Sequence, residues 1–175
     1  MEESSVNETS TEYSSDLDPL DLKVLAQLQL DAGLSNQALA AAVRVSPATA
    51  HRRVRRLWDA GFIEGVVALL SPRRLAEAGA PVLQAIVEVT LDVQASERLA
   101  AFEQRAVEEP AVQQCYRVSP GPDFVVVITV ADMAAYQAVA QRLFSADANV
   151  RNVRAFFVVQ RAKFGHRLPL PAAPR

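Results

Sequence analysis

Three helix-start signals fall close together in the first third of the chain. Asp18, Ser35 and Ser46 are residue types preferred at helix N-caps, and a proline follows the first and the last of them. Gly33 and Gly61 are natural helix ends. We therefore predict three short helices joined by tight connections, an arrangement typical of a helix-turn-helix.

The third predicted helix carries a dense positive charge. Four arginines fall within the five positions 52–56, although the whole chain has a net charge of -2. At about 100° per residue, Ala50, Val54 and Leu57 share a narrow face that packs inward. The opposite face and its flank hold Ala48, Thr49, Arg52, Arg53, Arg55 and Arg56. Mutual repulsion among these arginines favours an anionic partner over the alternative of a merely solvated basic face.

The second half of the chain alternates between strand and helix patterns. Strands are predicted at 82–91, 112–118, 124–130 and 150–160, and helices at 96–107 and 132–144. The segment "SPGPD" between the second and third strands is a hairpin turn. The order βαββαβ is that of a ferredoxin-like domain, which places the chain in the α+β class.

Both faces of this predicted sheet require burial. Residues 124–130 and 155–159 are apolar at almost every position, whereas two helices can cover only one face. Val82 and Ile86 of the first strand also lie on the second face, beside Gln84 and Glu88. A large exposed apolar patch marks an interface, and its simplest cover is a second copy of the chain, sheet against sheet. The carboxyl half is therefore predicted to form a homodimer.

Composition divides the chain into five predicted segments. An acidic, disordered tail (1–16) precedes the helix-turn-helix domain (17–63), a hinge strand and linker (64–80), the ferredoxin-like domain (81–165) and a C-terminal tail (166–175). Cys115 is the only cysteine, and no secretory signal or membrane-spanning run is present, so a cytoplasmic location is expected. One cysteine and two distant histidines supply few ligands, so no metal or other cofactor is expected.

Two segments resemble the Lrp/AsnC transcription regulators of bacteria and archaea. They are "LSNQALAAAVRVSPATAHRRVRRLWDAGFI" (34–63) and, more weakly, "VSPGPDFVVVITVADMAAY" (118–136). The resemblance covers about residues 17–165. It implies an N-terminal winged helix-turn-helix, a hinge strand and a C-terminal ligand-sensing domain. It also implies dimers, tetramers or octamers that bind an amino acid or another small molecule between dimers, near the turn that joins the second and third strands of that domain.

Double-stranded DNA is the expected partner, and the third helix is the expected reading element. Near its N-terminal end, Ala48, Thr49 and Arg52 are expected to read base edges in the major groove, while other arginines neutralise phosphates. The full set of expected DNA contacts is Arg44, Ser46, Ala48, Thr49, His51, Arg52, Arg53, Arg55 and Arg56. The expected effector contacts are Ser119, Gly121, Asp123 and Phe124.

Two positions depart from the family pattern. Arg44 stands where the family commonly has glycine, so a positive φ there would strain the backbone. In the sensing turn, Pro120, Gly121 and Pro122 replace a glycine-and-acid pattern, which argues against sensing of common amino acids. Asp123 is then either the acceptor for a ligand's ammonium group or a side chain that stabilises the turn.

Two other functions are compatible with these segments. One is an enzyme similar to the tetrapyrrole decarboxylases that resemble this family in both domains. The other is a metabolite-binding module whose helical domain is vestigial. The intact helix caps and the arginine-rich face favour the DNA-binding regulator over both, and no catalytic residue is assigned.

Overall fold

The computed structural model describes residues 17–171. Within this range the chain forms two compact units, one of residues 17–68 with 164–171 and the other of residues 69–163. The predicted acidic tail at 1–16 and the last four residues of the predicted C-terminal tail lie outside the described residues.

The first unit contains the three predicted helices. They are α1 (Pro19–Leu30), α2 (Asn36–Val43) and α3 (Pro47–Asp59). The three predicted N-caps are confirmed, because each side chain accepts hydrogen bonds from backbone N–H groups of the following turn. The buried core of this unit consists of Val24, Leu39, Val43 and Leu57. Each of the three helices contributes at least one of these side chains, so packing in the core holds α3 in place.

The segment after α3 is irregular. No strand forms in residues 64–71, and Val66, Val67, Leu69 and Leu70 are all more than half exposed. The prediction of a hinge strand is therefore wrong for this segment. A strand needs a neighbouring strand for its N–H and C=O groups, and none in residues 17–171 pairs with it. A short helix, α4 (Pro72–Glu77), follows, capped by Ser71.

The second unit has the predicted order of strands and helices. Its elements are β1 (Leu83–Leu91), α5 (Ser96–Glu108), β2 (Val112–Arg117), β3 (Phe124–Val130), α6 (Met133–Ala140), a π-helical turn (Gln141–Ser145) and β4 (Val150–Phe157). The sheet order is β2-β3-β1-β4, and all three pairings are antiparallel. This is the ferredoxin-like order that the sequence predicts.

The core of the second unit lies between the helices and one face of the sheet. Alternate residues of β1 and β3 point into it, and the rings of Phe102 and Phe124 pack with centroids 4.7 Å apart. The fully buried side chains of these strands and of α5 are Ala85, Val87, Val89, Leu91, Phe102, Ala106, Phe124, Val126 and Ile128.

The other face of the sheet is open in the single chain. Ile86 pairs with Val127 on β3 and with Phe156 on β4, which places three apolar side chains side by side. Ile86 is 41% exposed, and Phe156 and Tyr116 are each 51% exposed. An ion pair between Glu88 and Arg154 crosses the same face. The open face thus combines an apolar patch with a local charge pair.

The chain returns to the first unit after Lys163. The side chain of Gln29 on α1 bonds both backbone groups of Leu168, accepting from its N–H at 2.6 Å and donating to its C=O at 3.2 Å. The described part of the predicted C-terminal tail is therefore part of the helical unit.

Candidate nucleic-acid interface

The turn between α2 and α3 is formed by a left-handed residue. Arg44 has φ 60° and ψ 50°, and the N–H of Val45 bonds back to the carbonyl of Ala40 at 2.9 Å. The position therefore does adopt the positive φ at which an L side chain is strained. Its guanidinium is carried at the surface immediately before α3.

The N-terminal end of α3 is held by several hydrogen bonds. Ser46 Oγ accepts from the N–H of Thr49 at 3.2 Å, and the two hydroxyl oxygens lie 2.9 Å apart. Asn36 on α2 donates from Nδ2 to the carbonyl of Pro47 at 2.9 Å. These bonds fix the first turn of α3 against α2, which keeps the end of the helix in a defined orientation.

The outer strip of α3 is exposed and basic. Arg55 is paired only loosely along the helix, because its Nε lies 3.8 Å from Asp59 and both side chains are more than 70% exposed. A pair of this kind contributes little and leaves the guanidinium available. The predicted DNA contacts on this strip and just before it are exposed, except for the half-buried Thr49: Arg44, Ser46, Ala48, Thr49, His51, Arg52 and Arg55.

Two of the predicted DNA contacts point elsewhere. Arg53 Nη1 lies 3.2 Å from Asp21 Oδ1 and also pairs with Asp18, and Arg56 Nη2 pairs with Asp21 Oδ2. The expectation that all four arginines project outward together is corrected for Arg53 and Arg56. A helical projection locates the Cα–Cβ bond, whereas a long arginine stem can carry its charged head sideways toward α1.

The acidic side of this contact is the N-terminus of α1. Asp18 caps the helix through the N–H groups of Leu20 and Asp21, at 2.8 and 2.9 Å. Burial alone would raise the pKa of Asp18, but these backbone hydrogen bonds and the charge and hydrogen bond of Arg53 hold it below its ordinary value. The same two aspartates outweigh desolvation at Arg53 and raise its pKa. Both groups are thus kept charged.

The pairing partners on α1 were missed by sequence reasoning. Asp18 and Asp21 were interpreted only as a cap and as an acid favoured at the positive end of a helix. A usable signal was present, because two acids three residues apart at one helix start match two arginines three residues apart on another helix. Such spacing places each pair on one side of its helix.

The turn between β2 and β3 presents few groups to a ligand. Ser119 and Gly121 are exposed, and Gly121 has φ 123°. Asp123 already uses one carboxylate oxygen, Oδ2, to accept from the N–H of Leu91 at 2.7 Å. The Phe124 ring is fully buried against Phe102, so the prediction of Phe124 as an effector contact is corrected: strand alternation turns its side chain into the core.

The second unit also has a shallow cleft of about 140 Å³ beside α5 and the π-helical turn. Its arginines are matched by carboxylates: Arg142 bonds Glu109 at 3.0 Å, and Arg105 pairs with Asp147. In residues 17–171, no three His, Cys, Asp or Glu side chains cluster closely enough to hold a metal ion. None of the helices in that range is both long and apolar enough to cross a membrane.

A capped three-helix motif with an exposed basic strip, followed by a ferredoxin-like unit, defines a helix-turn-helix DNA-binding regulator with a second domain. Residues 17–64 match the winged helix-turn-helix DNA-binding family, and residues 84–168 match the Lrp/AsnC ligand binding domain. The chain belongs to the Lrp/AsnC family of transcriptional regulators.

Relatives of known name and solved structures agree with this assignment. The Bkd operon transcriptional regulator of Pseudomonas aeruginosa is 34% identical over 155 residues, which covers 89% of this chain and 99% of the relative. The leucine-responsive regulatory protein of Escherichia coli is 33% identical over 153 residues, with 87% and 91% covered.

Among solved structures, an AsnC family transcriptional regulator from Agrobacterium tumefaciens is 30% identical with a TM-score of 0.74, covering 87% of this chain and 97% of that one. A transcriptional regulator from Neisseria meningitidis, solved in complex with L-Met, is 29% identical with a TM-score of 0.73, covering 87% and 96%.

Proposed function

We propose that this regulator reads its operator with the N-terminal half of α3 and acts as a dimer or a higher assembly of dimers. The observation that carries the proposal is the exposed strip of Ala48, Arg52 and Arg55 on a helix whose first turn is fixed to α2. A fixed, capped helix with outward guanidiniums suits insertion into the major groove.

The proposed roles divide along the strip. Arg52 donates to a guanine edge, where a bidentate pair is geometrically matched, and Ala48 and Thr49 contact neighbouring bases. Arg55 neutralises a phosphate, which sets register without reading sequence. Arg44, Ser46 and His51 flank the reading residues and also lie within the proposed backbone contact.

Footprinting on the region upstream of its own gene, followed by anisotropy titrations, tests this assignment. We expect Arg52→Ala to weaken operator binding by about 1–3 kcal/mol and to reduce the preference for operator over random duplex. Arg55→Ala should weaken all duplexes alike and flatten the salt dependence by about one unit. Equal affinity of the Arg52 variant for every sequence, at the parental level, would contradict its reading role.

The proposed assembly uses the open face of the sheet. Ile86, Val127 and Phe156 form a contiguous apolar surface that a second copy could cover. A two-fold dimer would present two copies of α3, so the operator should be roughly palindromic, with half-sites about one helical turn or a multiple apart. We place this activity in the cytoplasm, the compartment expected from the sequence.

For the effector, we infer that common amino acids bind the turn of residues 119–123 weakly. The Neisseria meningitidis relative was solved with L-Met, so an amino acid is the first ligand class to test. Here, however, Pro120 and Pro122 have no N–H to offer a carboxylate, and Asp123 already accepts from Leu91. Calorimetric titration with the twenty amino acids decides the matter. Micromolar binding that Asp123→Ala abolishes would contradict weak sensing.

We also propose that the protein has no catalytic activity of its own, since its relatives are transcriptional regulators. An absorption titration with a tetrapyrrole separates it from the decarboxylase alternative, and a shifted spectrum with turnover would favour the enzyme.

A further inference from the structure

One carboxylate in the helical unit is completely buried. Asp21 has no exposed surface, and it is the only charged residue in the buried set of residues 17–171. A buried carboxylate is costly unless cations and hydrogen-bond donors surround it. The groups that bond to Asp21 therefore indicate the role of this buried carboxylate.

All the partners of Asp21 come from α3 or from the cap of its own helix. Arg53 Nη1 lies 3.2 Å from each carboxylate oxygen, and Arg56 Nη2 donates to Oδ2. The N–H of Asp18 donates to the same Oδ2 at 3.0 Å. Asp18 closes the arrangement, because its own carboxylate also accepts from Arg53. We call Asp18, Asp21, Arg53 and Arg56 the α1–α3 clamp.

The clamp divides the arginines of α3 into two pairs. Arg53 and Arg56 are three residues apart, so they share one side of the helix, the side next to α1. Arg52 and Arg55 have the same spacing on the adjoining strip, which is exposed. Rotation of α3 about its axis would exchange these strips, and the clamp opposes that rotation.

The clamp is also balanced in charge. Two carboxylates face two guanidiniums, so the acidic N-terminus of α1 presents no net charge to a phosphate backbone approaching α3. Without Asp21, the Arg56 guanidinium would lose its ion pair with α1 and that of Arg53 would keep only Asp18, so both would be held less firmly beside the reading strip. They would attract any duplex equally, since phosphate contacts carry no sequence information.

We propose that Asp21 is a positioning residue for DNA reading: it holds Arg53 and Arg56 away from phosphates and fixes which strip of α3 faces the groove. The proposal rests on the reading role proposed above for α3. It assigns a specificity-determining function to a residue that does not touch DNA. A role limited to stabilising the fold predicts something different, namely less folded protein with unchanged discrimination.

The experiment compares full-length parent and Asp21→Asn on operator and scrambled duplexes over a salt series, by anisotropy. We expect the ratio of operator to scrambled affinity to fall about tenfold, the scale of one well-placed base contact. We also expect the salt slope on scrambled DNA to steepen by about one unit for each guanidinium released. An unchanged ratio and slope in a folded Asp21→Asn protein would overturn the proposal, whatever happens to its melting temperature.

A second comparison decides the matter if Asp21→Asn does not fold. Arg56→Gln and its matched control Arg55→Gln lie one residue apart on α3, and both remove a guanidinium. We expect Arg55→Gln to flatten the salt slope by about one unit, and Arg56→Gln to lower the affinity ratio while leaving the slope unchanged. Equal flattening by both variants would place Arg56 on a phosphate and overturn the proposal. A parent that does not discriminate would instead refute the reading role of α3, and an Arg55→Gln slope equal to that of the parent would refute the phosphate contact proposed for Arg55.

Discussion

The arginine side chains of α3 differ in whether they form salt bridges within the protein or remain exposed to solvent. Arg53 is about one quarter exposed and meets two aspartates, whereas Arg55 is about three quarters exposed and meets Asp59 only at 3.8 Å. The same residue type therefore holds two helices together at position 53 and is left exposed for the proposed DNA contact at position 55. Salt bridges of the first kind depend on pH, because they need an ionised carboxylate.

Asp18→Asn is expected to reduce the acid sensitivity of the helical unit. The pKa of Asp18 lies below its ordinary value in the folded chain, so its ionised form is favoured by folding. That stabilisation is present above the ordinary pKa and is lost as pH falls through the lower, folded value. Parent melting temperature should therefore drop in the acid range below about pH 4, and the variant should show a weaker drop and a lower melting temperature at neutral pH.

Glu64→Gln is the control, because it removes an exposed carboxylate from the same unit. Melting curves followed by circular dichroism across the acid range provide the measurement. Parallel pH profiles for parent and Asp18→Asn would show that the Arg53 pair contributes nothing to the acid response.

Which arginines turn toward α1 does not follow from the helical period of α3 alone. The pairs of the clamp join residues 32 to 35 positions apart, so they depend on how α1 packs against α3. Periodicity did identify the inward strip of Ala50, Val54 and Leu57, of which Ala50 and Leu57 are fully buried. The helical period determines which apolar side chains are buried. The position of a guanidinium at the end of a long side chain depends instead on the nearest carboxylate.

At the scale of helices and strands, most of the structure follows from local sequence signals such as helix caps and strand alternation. Each predicted cap of the first three helices is present, and the strand alternation of β1 and β3 gives the buried set of the second unit. The segment 64–71 is the exception: its apolar residues suggested a strand, but no strand in residues 17–171 pairs with it. Strand pairing depends on two segments, so the sequence of one segment alone does not show whether it pairs.

Arg44→Gly is expected to stabilise the helical unit by about 0.5–1 kcal/mol. A left-handed L residue costs about 1–2 kcal/mol, part of which the greater chain entropy of glycine offsets. Arg44→Ala is the matched control, because it removes the charge but keeps the Cβ atom and its strain. Urea unfolding of parent and both variants measures the change. A gain by alanine equal to that of glycine would attribute the effect to charge instead of backbone conformation.

At the scale of the whole molecule, the open sheet face leaves apolar side chains exposed in the single chain. Ile86 is surrounded by apolar neighbours on two adjacent strands and is 41% exposed in the single chain. The sequence predicted this face from consecutive apolar residues. It could not specify the geometry of a second copy, because that depends on the shape of both surfaces.

Ile86→Asp is expected to convert the proposed dimer into monomers or to unfold the second unit. A carboxylate buried in an apolar interface without a partner costs several kcal/mol. Gln137→Asp, on the exposed side of α6, is the control and should leave assembly unchanged. Sedimentation velocity at micromolar concentration measures the state. A parent that sediments as a monomer, or an Ile86→Asp protein that remains a fully folded dimer, would exclude this face as the interface.

The bond pair between Gln29 and Leu168 makes the helical unit discontinuous in sequence. During synthesis, residues 164–171 leave the ribosome only after the second unit, so the contact between Gln29 and Leu168 forms after residues 69–163 have been translated. The two hydrogen bonds between Gln29 and Leu168 are therefore absent until residue 168 has been synthesised. Backbone amides at the end of α1 should exchange faster in a chain stopped after Lys163 than in the full chain, and hydrogen exchange would detect the difference. The helical unit is thus assembled from segments that precede and follow the second unit in the sequence.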